Sequence, residues 1–354
     1  MRVASVIGVR PQFVKASVLS YELKKKYEEI LIHTGQHYDY QMNKIFFDQL
    51  NIPEPDYHLD IGSGSHGYQT GEMLKKIEAV LVKEKPDLVL TYGDTNSTLA
   101  GALAASKLHI KTAHVESGLR SFDKSMPEEI NRILTDHCSD ILFCPTENAV
   151  ENLKREGIEE NVYLTGDVMV DSLLCNREIA ENKSTILNDL GIKSKEYLVV
   201  TIHRASNTDN EKNLKNIVDA FSELNETIIF PLHPRTEKSL KTYGLYNKLK
   251  SSVFFTQPLG FFEFIKLMNH AKMVLTDSGG VQKEAYVLKV PCVTLRENTE
   301  WIETVEDGWN LLVGSDKEKI VRVVKEFRPI FETYRNRFGN KGASKNIVSI
   351  IDSL

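Results

Sequence analysis

Apolar residues recur along this chain in two rhythms. Short β-branched and aliphatic runs alternate with longer stretches in which apolar positions return every three or four residues. The runs predict strands at Val3–Ile7, Glu29–His33, Leu88–Tyr92, Thr112–Val115, Ile141–Cys144 and Val162–Thr165. A second series is predicted at Leu198–Ile202, Thr227–Phe230, Val253–Thr256, Met273–Thr276, Cys292–Leu295 and Leu311–Val313. Between them Phe13–Lys26, Tyr68–Lys83, Glu128–His137, Leu214–Leu224 and Gly280–Leu288 carry helical periodicity. Such alternation argues for parallel sheets covered by helices on both faces. Two sets of about six strands point to two Rossmann-like, doubly wound α/β domains facing a cleft. The expected domains are 1–169 and 170–339, and the last helical pattern, about 340–354, is expected to pack back on the first.

Composition narrows the class. The 354 residues hold 44 Lys plus Arg against 49 Asp plus Glu, a net charge of −5 that marks neither nucleic acid nor an anionic membrane as a partner. No apolar run approaches the ~18 residues of a spanning helix. Val3–Ile7 is too short for a secretory h-region before Arg10 and Pro11 interrupt it. Cys138, Cys144, Cys175 and Cys292 form no C-x-x-C pair, which fits reduced thiols in a cytoplasmic protein. The ten histidines lack H-E-x-x-H spacing, so no metal site is expected.

Chemistry should sit just past the carboxyl ends of the strands. After the first strand, Arg10 falls at a helix N-terminus, where amide N–H groups already favour an anion, and Lys15 follows about one turn on. Solvated surface cations are the bland alternative. After Met273–Thr276 comes Asp277-Ser278-Gly279-Gly280, whose glycines let a phosphate approach the backbone, and then Glu284, placed to accept from a ribose diol. A turn that merely needs glycine is the alternative there.

Gly62-Ser63-Gly64-Ser65-His66-Gly67 formally matches the dinucleotide fingerprint. The preceding Asn51–Asp60 contains Pro53 and Pro55 and alternates poorly, so no buried central strand is expected there and no nicotinamide cofactor is assigned. Asp94 and Glu116 each follow a predicted strand, and Glu128 opens a helix with Arg132 one turn later on the same face. Each alone reads as a cap or a surface ion pair; three on one sheet edge read better as acid–base groups. His203, with Arg204, ends a strand of the second series, and His233 has a similar position.

Phosphate-holding groups, a ribose carboxylate and acid–base carboxylates together suit a nucleotide-activated substrate, and no G-x-x-x-x-G-K-[ST] loop supports phosphoryl transfer. The motifs GVRPQFVK (8–15), YGDTNST (92–98), HVESGLRS (114–121), MPEEINR (126–132), TIHR (201–204) and TDSGGVQKEA (276–285) span the chain. In them the sequence resembles the non-hydrolysing UDP-N-acetylglucosamine 2-epimerase family, whose fold is like that of the B-type glycosyltransferases. The resemblance implies UDP contacts from Arg10, Lys15, Ser278, Gly279, Gly280 and Glu284, with Gln257 and Phe264 on the uracil side. It implies acid–base roles for Asp94, Glu116 and Glu128, with His203 near the diphosphate and Arg132 and Arg204 on the substrate side. It also implies a homodimer, and Gln36-His37-Tyr38 matches a segment near which some bacterial members bind a second, activating substrate molecule, which leaves allostery open for this chain. Two departures stand out: the family's GTRPE is GVRPQ here, and the arginine of its T-E-R-P-E is Trp301.

The C2 hydrogen of such a sugar is not next to a carbonyl, so inversion requires oxidation or loss of UDP. Without a dinucleotide site, elimination through a glycal-like intermediate is expected, with no cofactor. Rival readings are a hydrolysing 2-epimerase, a 2-epimerase of another UDP-2-acetamido sugar such as a diacetamido uronate, a retaining glycosyltransferase, and a UDP-sugar sensor.

Overall fold

The first β-branched run forms β1 (Arg2–Ile7), the centre of a sheet completed by β2 (Glu28–His33), β3 (Tyr57–His58), β4 (Leu88–Tyr92), β5 (Lys111–Val115), β6 (Ile141–Cys144) and β7 (Val162–Leu164). The structure is a computed structural model that describes residues 1–36 and 54–353. Among the described residues these strands run in the order β3-β2-β1-β4-β5-β6-β7, every neighbouring pair parallel. Helices cover both faces, which is why Val3, Ala4, Val6 and Ile7 are all buried, with Ser5 between them buried as well. This sheet belongs to a compact unit of residues 1–174 and 338–354; residues 175–337 form the other.

In the second unit β8 (Tyr197–Thr201), β9 (Thr227–Pro231), β10 (Phe254–Thr256), β11 (Met273–Thr276), β12 (Cys292–Thr294) and β13 (Asn310–Leu312) repeat the winding as β10-β9-β8-β11-β12-β13, again all parallel. Leu198, Val200, Ile217, Phe221, Ile228 and Phe230 are at the heart of its core.

Strand β3 is absent from the predicted runs. The segment before Gly62 supplies no central strand, as expected, but among the described residues it adds two residues at the sheet edge, paired through Ile32–Tyr57 and His33–His58. Its sequence lacks alternation because β2 provides the pairing. The G-x-G-x-x-G run therefore links an edge strand to helix His66–Glu84, while the central strand opens onto Gly8-Val9-Arg10.

Local signals explain where the helices start. Thr95 caps helix Asn96–Lys107 by accepting from the Thr98 amide. Pro127 opens helix Pro127–Cys138 with Glu128 and Glu129 in its first turn. The final helix, Ala343–Asp352, joins the first unit because the Asp171 carboxylate accepts from the amides of Gly342 (2.6 Å), Ala343 (3.3 Å) and Ser344 (2.8 Å). Among the described residues no helix is long and apolar enough to cross a membrane, and no cluster of three or more His, Cys, Asp or Glu side chains could hold a metal. The four cysteines are free thiols.

Candidate active site

In the first unit the strand order reverses between β1 and β4, so the loops leaving them diverge and expose a crevice at their carboxyl ends. Gln12 ties these loops together. Its Oε1 accepts from the amides of Gly8 (2.7 Å) and Val9 (3.2 Å), and its Nε2 donates to the Tyr92 carbonyl (2.8 Å) and the hydroxyls of Thr95 (3.0 Å) and Thr98 (2.9 Å). Arg10 is the first helical residue, half-buried, beside this brace.

Lys15 and Glu116 form an ion pair in which both side chains are about nine-tenths buried. A lysine expected beside a phosphate thus meets a carboxylate. Gly93 lies against the pair: a Cβ there would stand 3.2 Å from Lys15 Nζ and 3.3 Å from Glu116 Oε2, and its φ of +65° is one that glycine adopts freely. Glu116 itself has φ +74°, a left-handed conformation held by amide bonds from Glu116 and Ser117 to the Phe143 carbonyl, both 3.1 Å. Strain of this kind on a non-glycine residue clusters at functional sites.

Arg132 Nη1 donates to Asp94 Oδ2 at 2.6 Å, and its Nη2 and Nε hold Glu129 at 2.7 and 3.1 Å. Glu129 also accepts from the amides of Ser121 (2.9 Å) and Phe122 (2.8 Å). Burial opposes its ionisation, but the Ser121 amide and Arg132 outweigh burial and hold its carboxyl below the usual range. Glu128, the expected acid–base group, is half-buried in the first turn of its helix. Beneath the strand ends, buried His114 bridges Asp136 (2.6 Å) and the Gly93 carbonyl (2.7 Å).

In the second unit the reversal lies between β8 and β11, whose ends are aligned by the Thr201–Thr276 register and a 2.6 Å contact between their hydroxyls. Asp277, fully buried, accepts from the amides of His203 (3.0 Å) and Arg204 (3.0 Å) and from Asn207 Nδ2 (3.1 Å). Both residues of the His203-Arg204 loop are thereby held next to Ser278, and the His203 and His233 rings lie 5.8 Å apart. The Ser278 amide donates to Thr276 Oγ1 at 2.9 Å, and helix Gly279–Val287 begins directly after. A side chain at Gly279 would meet the Glu300 carboxylate, which would have to move aside.

Glu284 is half-buried on that helix. Gln257 is exposed, its carbonyl accepting from the Thr256 hydroxyl, and Phe264 is half-buried on helix Phe261–Asn269. Trp301 is buried, with Lys283 Nζ 4.1 Å from its ring centroid, a cation–π contact. Of Gln36-His37-Tyr38, the last two lie outside the described residues; Gln36 accepts from the Ser97 hydroxyl at 2.7 Å.

Sequence reasoning passed over Gln12, His114, Glu129, Asp136 and Asp277. Two had a local signal: Asp277 stands between a strand and Ser278-Gly279-Gly280, and His114 shares a strand face with Glu116. Gln12 and Asp136 act through partners remote in sequence, and Glu129 through a fork that Arg132 shares with distant Asp94.

Two parallel sheets wound in the same order, each with charged and anion-holding groups where the order reverses, define an α/β enzyme of the B-type glycosyltransferase fold. The profile of the UDP-N-acetylglucosamine 2-epimerase family matches residues 21–352, and the chain belongs to this family of isomerases. A UDP-N-acetylglucosamine 2-epimerase homolog of Methanococcus maripaludis is 60% identical over 357 residues, 100% of each chain. A UDP-2,3-diacetamido-2,3-dideoxy-D-glucuronate 2-epimerase of Pseudomonas aeruginosa is 51% identical over 330 residues, 91% of this chain and 90% of its own. The crystal structure of Methanocaldococcus jannaschii UDP-GlcNAc 2-epimerase in complex with UDP-GlcNAc and UDP matches with a TM-score of 0.94 at 49% identity, covering 100% of both chains.

Proposed function

We propose that this chain interconverts UDP-N-acetylglucosamine and UDP-N-acetylmannosamine by eliminating and re-adding UDP, without hydrolysis. The observation that carries the reading is the pair of carboxylates at adjacent strand ends, Asp94 and Glu116, each matched to its own cation. The family relationship supports the substrate. One carboxylate takes the C2 proton, and the C2–H electron pair becomes the C1=C2 bond. The C1–O bond breaks as that double bond forms, its pair leaving with UDP. The Gly279 and Gly280 amides, at the start of their helix, and His203 favour the departing diphosphate. A second carboxylate returns a proton to the opposite face of C2 as UDP re-adds at C1. The sum is redox-neutral and calls for neither nicotinamide nor metal.

Proton NMR with UDP-N-acetylglucosamine in D₂O, neither being added, tests this. The expected result is a UDP-N-acetylmannosamine anomeric signal with deuterium at C2. Free N-acetylmannosamine with UDP would mean hydrolysis, and sugar transfer to an acceptor would mean a transferase.

Trp301 favours a second reading. The arginine expected there from the family pattern is replaced by a ring turned under Lys283, which supports a different sugar. The same chemistry on UDP-2,3-diacetamido-2,3-dideoxy-D-glucuronate, the sugar nucleotide in the name of the Pseudomonas relative, is the alternative. A kcat/KM for the uronate about two orders of magnitude above that for UDP-N-acetylglucosamine would select it.

A further inference from the structure

The two turns that carry Asp94 and Glu116 are joined by a buried group to which the reaction above gives no part. His114 lies on β5, two residues before Glu116, and is fully buried. Its Nε2 is 2.7 Å from the Gly93 carbonyl oxygen, an atom that only accepts, so Nε2 carries a hydrogen. Its Nδ1 is 2.6 Å from Asp136 Oδ1. The other oxygen of that carboxylate accepts from the Gly118 amide (3.1 Å) and from Arg120 Nη1 (2.7 Å), and Arg120 in turn holds Glu156 at 2.7 and 2.8 Å. Two donors and a guanidinium charge on Asp136 leave it ionised, an acceptor for Nδ1 as well. Both ring nitrogens therefore face oxygens able to accept a hydrogen.

Gly93 is pinned at both of its peptide groups. Its N–H donates to the Val115 carbonyl at 3.0 Å, and its C=O accepts from His114. The next residue is Asp94, and a Cβ at Gly93 would stand against the Lys15–Glu116 pair. We propose that His114, held between Asp136 and the Gly93 carbonyl, is a positioning residue that sets the Gly93–Asp94 turn against Glu116. This rests on the acid–base reading of those carboxylates. A reacting geometry displaced by about 1 Å can cost ~10²-fold in rate, so such a clamp has kinetic consequence without touching substrate.

Two measurements test it. In protein labelled with ¹⁵N-histidine, NMR should show hydrogens on both ring nitrogens of His114, the signals vanishing in His114→Gln. One bare nitrogen overturns the proposal, and this holds whether or not the chain turns over UDP-N-acetylglucosamine. In a folded His114→Gln protein, which keeps one amide donor, kcat should fall about tenfold or more with the Kd for UDP unchanged within about twofold. An unchanged kcat, or equal losses in kcat and UDP affinity, overturns it.

Discussion

Arg132 reaches Asp94, 38 positions away, at 2.6 Å with one guanidinium nitrogen while holding Glu129, three positions away, at 2.7 Å with another. One planar fork thus spans a half-exposed carboxylate at a strand end and a buried one inside a helix. Arg132→Ala should cost roughly 3–5 kcal/mol of folding stability in urea titrations, because it leaves Glu129 buried without its cation. Arg132→Lys keeps the charge and loses the fork, so it should be less destabilised yet lose most of its turnover. A melt of Arg132→Ala within a degree of the parent would show that the fork carries no load.

Glu116→Gln removes the charge that faces Lys15 while preserving shape. Turnover should fall by at least about two orders of magnitude, the scale of one general acid–base group, with UDP still bound. Near-normal exchange of the C2 hydrogen for deuterium in this variant would take Glu116 out of the mechanism.

Glu29 should make stability depend on pH in the opposite sense to most carboxylates. It is buried between the hydroxyls of Ser5 (2.7 Å) and Ser20 (2.9 Å), and burial pushes its carboxyl up. The folded chain holds this proton more tightly than the unfolded one. The contribution is fully present below the unfolded value of about 4.3 and is lost as pH rises through the folded value. Glu29→Gln should therefore raise the urea midpoint at pH 8 relative to the parent and leave it nearly unchanged at pH 4. Equal effects at both would rule out the raised carboxyl as the cause.

Asp136 and Glu129 should steepen acid unfolding. Burial works against ionising Asp136, but His114 and Arg120 outweigh it and hold its carboxyl below the usual range, as Ser121 and Arg132 do for Glu129. Lowered folded values give stability that is present above the unfolded pKa of about 4 and lost as pH falls through the folded ones. Glu129→Gln should lower stability at pH 6 and lose less of it between pH 5 and pH 2 than the parent does, measured by thermal melts.

Asp277→Asn should loosen the His203-Arg204 loop. Three donors converge on this carboxylate, and an amide returns one acceptor and faces them with an NH₂ group. A loss of about 1–3 kcal/mol in stability is expected, with weaker UDP binding in isothermal titration. Unchanged affinity would mean that the loop does not serve the nucleotide.

The sheets were legible because parallel strands covered on both faces must be apolar along their whole length. That is why Val3–Ile7, Leu88–Tyr92 and Met273–Thr276 stand out as runs. The two-residue β3 was not, since its place comes from pairing with β2 and leaves no pattern of its own. The positions of Arg10, Asp94, Glu116, His203 and Ser278 at strand ends were also readable, because a period change from strand to helix marks each end.

What the sequence determined by itself is therefore local: which residues are strands, which are helices, and which charged groups lie where the two meet. Tertiary structure alone decided the partners. Lys15 meets Glu116 across 101 residues, and Gln12 braces loops 80 residues and more apart. His114 faces Asp136 and Gly93 at 22 and 21 residues' separation. Strand periodicity carries no record of such pairings. They follow from the order in which strands enter the sheet, and burial then makes each unmatched charge too costly to keep.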